Sequence, residues 1–252
     1  MIVLLSFVAL ALSTLSIAQD KTQLRVLMSA GFSAAYRELL PDFERTTGIV
    51  VTTTSGPSVG SSPNTIGAQL RRGVTADVVI LSREGLDELI AEGKIVPGTA
   101  TDLAETSLGV AVRAGAPKPD ISTVDSVKQT LIRAKSVAFT TSTSGIYLTT
   151  VLFPRLGIAE EMARKSRTDA VAAVVRGDAE IAIQPVSELL PVSGVDFVGT
   201  LPAEIQKINT YAAGVVTPSR ETEAAKRLIA FLSSERATAA IRKNGMEPSR
   251  RK

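Results

Sequence analysis

The sequence predicts an α/β fold in two lobes, each a mostly parallel sheet flanked by helices, with a ligand cleft between them. Three observations lead there. Short apolar or β-branched runs alternate with stretches whose apolar residues recur at helical spacing, the pattern of parallel sheets joined by right-handed crossovers. The strand-to-helix junctions are polar and rich in hydroxyl residues. The rhythm breaks once, at the Gly- and Pro-bearing stretch 114–120, after which a fresh series begins.

Taken in order, LRVLM (24–28) reads as a buried first strand, and SAGFS (29–33) turns it into a helix. Within 34–47, Ala35, Leu39, Leu40 and Phe43 mark one helix face, and Gly48 supplies the stop. IVVTT (49–53) is a second strand, β-branched throughout. A long polar loop, 55–64, leads to a helix ending at Gly73, the strand VVIL (78–81) and a helix over 85–92. LGVAV (108–112) is the next strand. Beyond the break come a helix over 124–134, the strand SVAF (136–139) and a helix over 146–156. Two further helical stretches reach Gly177 before the strand EIAI (180–183). A last strand over 209–216 and helices over 221–232 and 237–243 finish the chain. The expected division is lobe I over 19–106 and 204–252, with lobe II, 107–203, inserted in it.

Residues 1–18 stand apart. They are apolar, uncharged and shorter than the roughly 20 residues a membrane span needs. They end in Ser16-Ile17-Ala18, small residues at the positions a signal peptidase reads. This predicts cleavage after Ala18 and a periplasmic or secreted protein. The remaining 234 of the 252 residues suffice for two lobes of about 100 residues each.

Composition excludes much chemistry. Without Cys there is no disulfide and no thiolate metal site, and without His there is no imidazole metal site and no Ser-His-Asp or Cys-His catalysis. No metal and no cofactor are therefore expected. The net charge of +3 gathers largely in the C-terminal tail, and the 4% aromatic residues are not interleaved with basic ones, so nucleic acid is not an expected partner. A monomer is expected.

Three loops, 29–33, 55–65 and 140–145, share one position: after a strand and before a helix. In open sheets ligands bind at that edge, where free N–H groups of a helix's first turn point outward. Hydroxyls add donors and acceptors, and Gly31 and Gly145 would let the backbone approach a ligand closely. One Ser or Thr at such a place is ordinarily a helix cap. Five hydroxyl residues in a row, 140–144, exceed what one cap requires. Arg71, Arg72 and Arg167 could offer a guanidinium to a carboxylate, although a solvated helix flank is the simpler reading of the first two. Tyr147 could close the site or belong to an apolar helix face.

The chain resembles the periplasmic substrate-binding proteins of molybdate-type ABC transporters, which have the class II binding-protein fold. The resemblance runs over SAGFSAAYRELLPDFERTTG (29–48), GAQLRRGVTADVVILS (67–82), TSLGVAVRAGAPKPD (106–120), RGDAEIAIQPVSELLPVSGVDFVGTLP (176–202) and AAKRLIAFLSSERATAAIRKNGMEP (224–248). It implies a small anion held between two lobes by hydroxyls and backbone amides, with contacts from 29–33, 62–65, Ser144-Gly145 and Gln184-Pro185. It also implies docking on a membrane permease and hinge closure near 106–107 and 201–208. The chain departs from the molybdate pattern. Gly31 stands for a serine, Ser62-Pro63-Asn64 for Ser-Ser-Gly, and the tyrosine after the late strand is replaced near Gln184-Pro185. The connection at Lys165-Ser166-Arg167 is compressed. These changes favour a small organic carboxylate over molybdate or tungstate.

The expected ligand-binding residues are Ser29, Gly31, Phe32, Ser33, Ser62, Asn64, Thr65, Ser142, Thr143, Ser144, Gly145, Tyr147 and Gln184. The leading expectation is non-catalytic capture of a small anion for ABC-type uptake. The alternative is an isomerase acting on a tricarboxylate in the same cleft, similar to aconitate isomerase, with Tyr147, Glu188, a Lys or a hydroxyl as acid and base.

Overall fold

The structure, a computed structural model, describes residues 22–249, so the expected signal segment lies outside the described residues. Among the described residues no helix is long and apolar enough to cross a membrane.

The backbone is an α/β arrangement built on one curled sheet. Its strands are β1 (Gln23–Met28), β2 (Val50–Ser55), β3 (Val78–Ser82), β4 (Thr101–Arg113), β5 (Val137–Ala138), β6 (Ser166–Arg167), β7 (Ile181–Pro185), β8 (Val195–Thr200), β9 (Ile208–Val215) and β10 (Glu247–Pro248). The main path runs β2-β1-β3-β9-β4-β7-β5-β6, with β8 and β10 paired to β4 off that path. Two groups are parallel, β2-β1-β3 and β7-β5-β6. The strands joining them, β9 and β4, pair antiparallel with each other and with their outer neighbours. The sheet is therefore mixed rather than mostly parallel, and the reason is connectivity. β4 leaves the first group and β9 returns to it, and both run against their neighbours.

β4 is longer than the apolar run 108–112 foretold. Its polar first part pairs with β9, up to Ser107 opposite Ile208. From Leu108 onward it pairs with β7 and β8. TDLAETS (101–107) is strand because β9 and β10 supply ladder partners, not because its own pattern demands it.

The helices around the sheet include several that start soon after a strand end. The helices before β8 are α1 (Ser33–Thr47), α2 (Ile66–Arg71), α3 (Arg83–Ala91), α4 (Val124–Arg133), α5 (Thr143–Tyr147), α6 (Phe153–Leu156), α7 (Ala159–Lys165), α8 (Ala170–Arg176) and α9 (Val186–Leu189). A short 3-10 turn, Ala30–Phe32, precedes α1, and a π-helical turn, Leu148–Leu152, links α5 to α6. The helix expected from 146 thus begins at Thr143, drawing the last hydroxyls of the polar run into its first turn. Helices α10 (Thr222–Leu232) and α11 (Thr238–Lys243) pack against α1.

Apolar side chains cover both faces of each half of the sheet. Leu24, Val26, Phe32, Tyr36, Phe43 and Leu228 fill one face of the β1 half, and Leu27, Ile66, Val79, Leu81 and Leu86 the other. In the β7 half, Leu108, Val110, Phe139, Leu152 and Ile183 lie opposite Ala138, Val174, Ala182 and Leu189. Sheets buried on both faces require near-continuous apolar strands, which is how β3 and β7 read.

Candidate active site

The C-terminal ends of five strands line one cavity of about 420 Å³, and the tip of a sixth, β3, braces it. From the first group come Ser29 and Ala30 after β1, and Ser55, Gly56, Pro57 and Ser58 at the end of β2; Ser58 in turn accepts the Ser82 N–H at the tip of β3. The second group supplies 140–144 after β5, Thr168 after β6 and Pro185 at the end of β7. Asn64, Glu188 from α9, and Asn209 and Tyr211 from β9 complete the wall. Asn209 and Tyr211 are two apart on one strand and therefore share a face.

The wall is neutral apart from Glu188, and most of its residues carry a hydroxyl or amide side chain. Its lining holds no Lys and no Arg. Arg71 pairs with Glu92, Arg72 reaches the Pro63 carbonyl, and Arg167 bonds the Ser166 carbonyl, all on exposed surface. None of the three guanidinium groups suggested by the sequence enters the cavity.

Buried polar atoms without partners are rare in folded proteins, and two of the four found among the described residues line this cavity. Ser29 is 4% exposed and Asn209 2%, yet Ser29 Oγ and Asn209 Oδ1 have no hydrogen-bond partner. The helix starts point the same way. Ser29 and Ser142 occupy the N-cap positions of the turn or helix that follows each, and neither makes a side-chain cap bond.

The expected site residues divide by position. Ser29, Asn64, Ser142, Thr143 and Ser144 line the cavity. Thr143 Oγ1 donates to Ser82 Oγ at 3.0 Å, and Ser142 Oγ accepts the Val59 N–H at 3.5 Å, so the polar run also ties the two strand groups together. Gly31 and Gly145 sit one layer behind the wall. A Cβ on Gly31 would lie 1.7 Å from Tyr211 Oη, and one on Gly145 would lie 1.5 Å from the Thr140 carbonyl. Both glycines make room for cavity residues instead of facing the cavity.

The remaining expected residues do other work. Phe32 is fully buried in the core, and Ser33 is the first residue of α1. Ser62 Oγ accepts the Asn64 N–H within its own turn, while Thr65 caps α2 by accepting from the Ala68 N–H. Tyr147 Oη donates to the Ile205 carbonyl at 2.9 Å, which removes it as an acid. Gln184, 2% exposed, lies behind Glu188. The cavity residues that lie outside the loops and contact regions selected from the sequence are Thr168, Glu188, Asn209 and Tyr211. Glu188 alone had been named, as a candidate acid or base.

Glu188 is the chemically decisive member. Gln184 Nε2 donates to its Oε2 at 2.6 Å, and Tyr211 Oη lies 3.5 Å from its Oε1. Protein surrounds the carboxyl except toward the cavity, and this burial pushes its pKa from 4.5 up to about 7, against the smaller opposing effect of the two hydrogen bonds. Tyr211, 3% exposed, is held well above the ordinary phenol value by burial first and by the adjacent carboxylate second. Near neutral pH the pair is thus a phenol that stays protonated and a carboxyl poised between its two forms. Such a carboxyl can accept a proton from carbon and return it.

The family model for bacterial extracellular solute-binding protein matches residues 24–247. The chain belongs to this family. It is 41% identical over 243 residues to an aconitate isomerase from a Pseudomonas species, an alignment covering 95% of this chain and 93% of that one. Among solved structures it is similar to the periplasmic molybdate-binding protein of Azotobacter vinelandii, with a TM-score of 0.74 at 19% identity over 90% of this chain and 100% of that one. It is also similar to a sulfate-binding protein of Mycobacterium tuberculosis, with a TM-score of 0.70 at 19% identity over 90% and 87%. These likenesses establish the two-lobed class II binding-protein fold.

Proposed function

We propose that this solute-binding family member is an isomerase that shifts the double bond of a small tricarboxylate, aconitate or a close analogue, with Glu188 as the acid–base group. The carrying observation is Glu188 itself. A carboxyl titrating near pH 7 faces a cavity whose other walls are neutral donors and acceptors. The isomerase relative supports the substrate class. This reverses the order of preference drawn from sequence alone.

The chemistry balances on one group. The Glu188 carboxylate takes a proton from the methylene beside the double bond, and the electron pair spreads over the three-carbon allylic unit and its carboxylates. The Glu188 carboxyl then protonates the far allylic carbon. The double bond has moved, its geometry is set afresh, and neither oxidant nor reductant is consumed. Ser29, the 140–144 hydroxyls and the uncapped helix-start amides are suited to hold the substrate carboxylates. Molybdate has no C–H bond, so Glu188 would have no acid–base work to do on it.

A second reading, capture of a carboxylate for uptake through a permease, draws support from the bonds that bridge the two strand groups. Thr143 bonds Ser82 at 3.0 Å, and Ser142 accepts the Val59 N–H at 3.5 Å. On either reading the chain acts outside the cytoplasm, and its halves, 19–106 with 204–252 and 107–203, close about β4 and the segment before β9. Following ultraviolet absorbance with cis- and trans-aconitate separates the two. Interconversion that disappears in Glu188→Gln supports the isomerase. Tight carboxylate binding by calorimetry without interconversion leaves capture alone.

A further inference from the structure

Gln184 was expected to touch the ligand, yet its side chain is buried behind the cavity wall with both polar ends engaged. Its Oε1 accepts the Val171 main-chain N–H at 2.6 Å, and its Nε2 donates to Glu188 Oε2 at 2.6 Å. A primary amide can face either way, but a main-chain N–H can only donate. Val171 therefore fixes the carbonyl end of Gln184 and leaves the NH2 end toward Glu188. That donor occupies Oε2 and leaves Oε1 toward Tyr211, and both residues line the cavity.

We propose that Gln184 is a positioning residue for the base: locked by Val171, it anchors one oxygen of Glu188, turns the other toward the substrate and favours the ionised carboxylate. The inference deepens the preceding assignment and rests on it. The elements packed most closely against α9 are β4, β7, β8 and the 3-10 turn Ala30–Phe32, and the turn at Gly245 meets it at Val186. Their ionisable side chains are Asp102, Glu105 and Arg113 on β4 and Asp196 on β8, and none of them acts on Glu188. On β9, Tyr211 is the titratable group that does, so Gln184 and Tyr211 are the two side chains opposing the effect of burial. Gln184 makes much the shorter bond.

The test follows the Glu188 titration directly, by carboxyl 13C resonance in glutamate-labelled full-length protein, assigned through its loss in Glu188→Gln. In Gln184→Met the midpoint rises by about one to two pH units, the worth of a hydrogen bond to a charged group. Aconitate turnover at pH 7 falls about tenfold and recovers near pH 9, while KM stays within about twofold. A purely structural role would lower activity evenly across pH. Gln184→Asn keeps an amide but is one methylene short of Glu188, and it carries the same prediction, so failure of one variant to fold leaves the other to decide. An unmoved or lowered midpoint overturns the proposal. A raised midpoint in a protein that never turns over aconitate upholds the positioning role and sinks the isomerase reading.

Discussion

Two sets of helix starts in this chain use the same residue types for different ends. Thr65, Ser82 and Thr123 each accept a bond from an N–H in the first turn of their own helix. Ser29 and Ser142 stand at equivalent positions around the cavity and cap nothing. A capping hydroxyl satisfies one of the helix's free donors and is thereby committed. An uncapped start leaves those donors, and the hydroxyl itself, for something else. For Ser29 the contrast is complete, since its Oγ is buried and has no partner. A hydroxyl-rich turn is thus a cap or a cradle according to where its oxygens face, which composition does not reveal.

The contrast breaks most sharply at α9, whose first turn presents Glu188 to the cavity. Replacing Glu188 with Gln should lower kcat for aconitate by about 10² to 10⁴, the usual share of an acid–base group. Carboxylate affinity by calorimetry should change far less. Unaltered turnover would mean that the uncapped starts surround a different chemistry.

The next largest effect concerns stability in the ligand-free protein. The folded pKa of Glu188, about 7, lies above its ordinary 4.5, so the fold gains from its protonation. That contribution is fully present below pH 4.5, is lost as pH rises to about 7, and amounts to on the order of 3 kcal/mol. Urea unfolding at pH 5 and pH 8 should show a loss in the parent protein that Glu188→Gln does not share. Parallel behaviour of the two would show that burial does not govern this carboxyl. The same titration makes kcat/KM climb through about pH 7, because the base acts in its ionised form.

Smaller effects separate the two sets directly. Ser29→Ala should weaken carboxylate binding about tenfold or more by calorimetry, with almost no change in melting temperature. Thr123→Ala should do the opposite, costing about 1 kcal/mol and about 2–4 °C in Tm while leaving affinity unchanged. Equal losses of stability in both variants would erase the distinction between cap and cradle.

Much of the scaffold was legible. The β-branched run 49–53, the apolar run 78–81 and the helical spacing of Ala35, Leu39 and Phe43 each became the predicted element within a few residues. The polar first part of β4 and strand β8 were not foreseen, because each is extended through ladder bonds to a distant partner. At the site, Ser29, Asn64 and the 140–144 run were reachable because they follow strand ends in the sequence. Tyr211 and Asn209 were not, since they lie within a strand whose apolar neighbours read as core. Gly31 was expected to lie against the ligand, whereas it lies beneath Tyr211. Gln184 was expected to bind the ligand, whereas it binds the residue assigned to act on it.

By itself the sequence determined the alternation of strands and helices, the placement of polar turns at strand ends, and the exclusion of imidazole and thiol chemistry. Each of these depends on residue type and local period, which a chain carries whether folded or not. Tertiary structure alone decided which hydroxyls stayed uncapped, that β9 would bring Tyr211 against Glu188, and that this carboxyl would titrate near neutrality. Those properties come from burial and from the meeting of segments remote in the chain, and the ionisation of a carboxyl answers to its surroundings rather than to its neighbours in sequence.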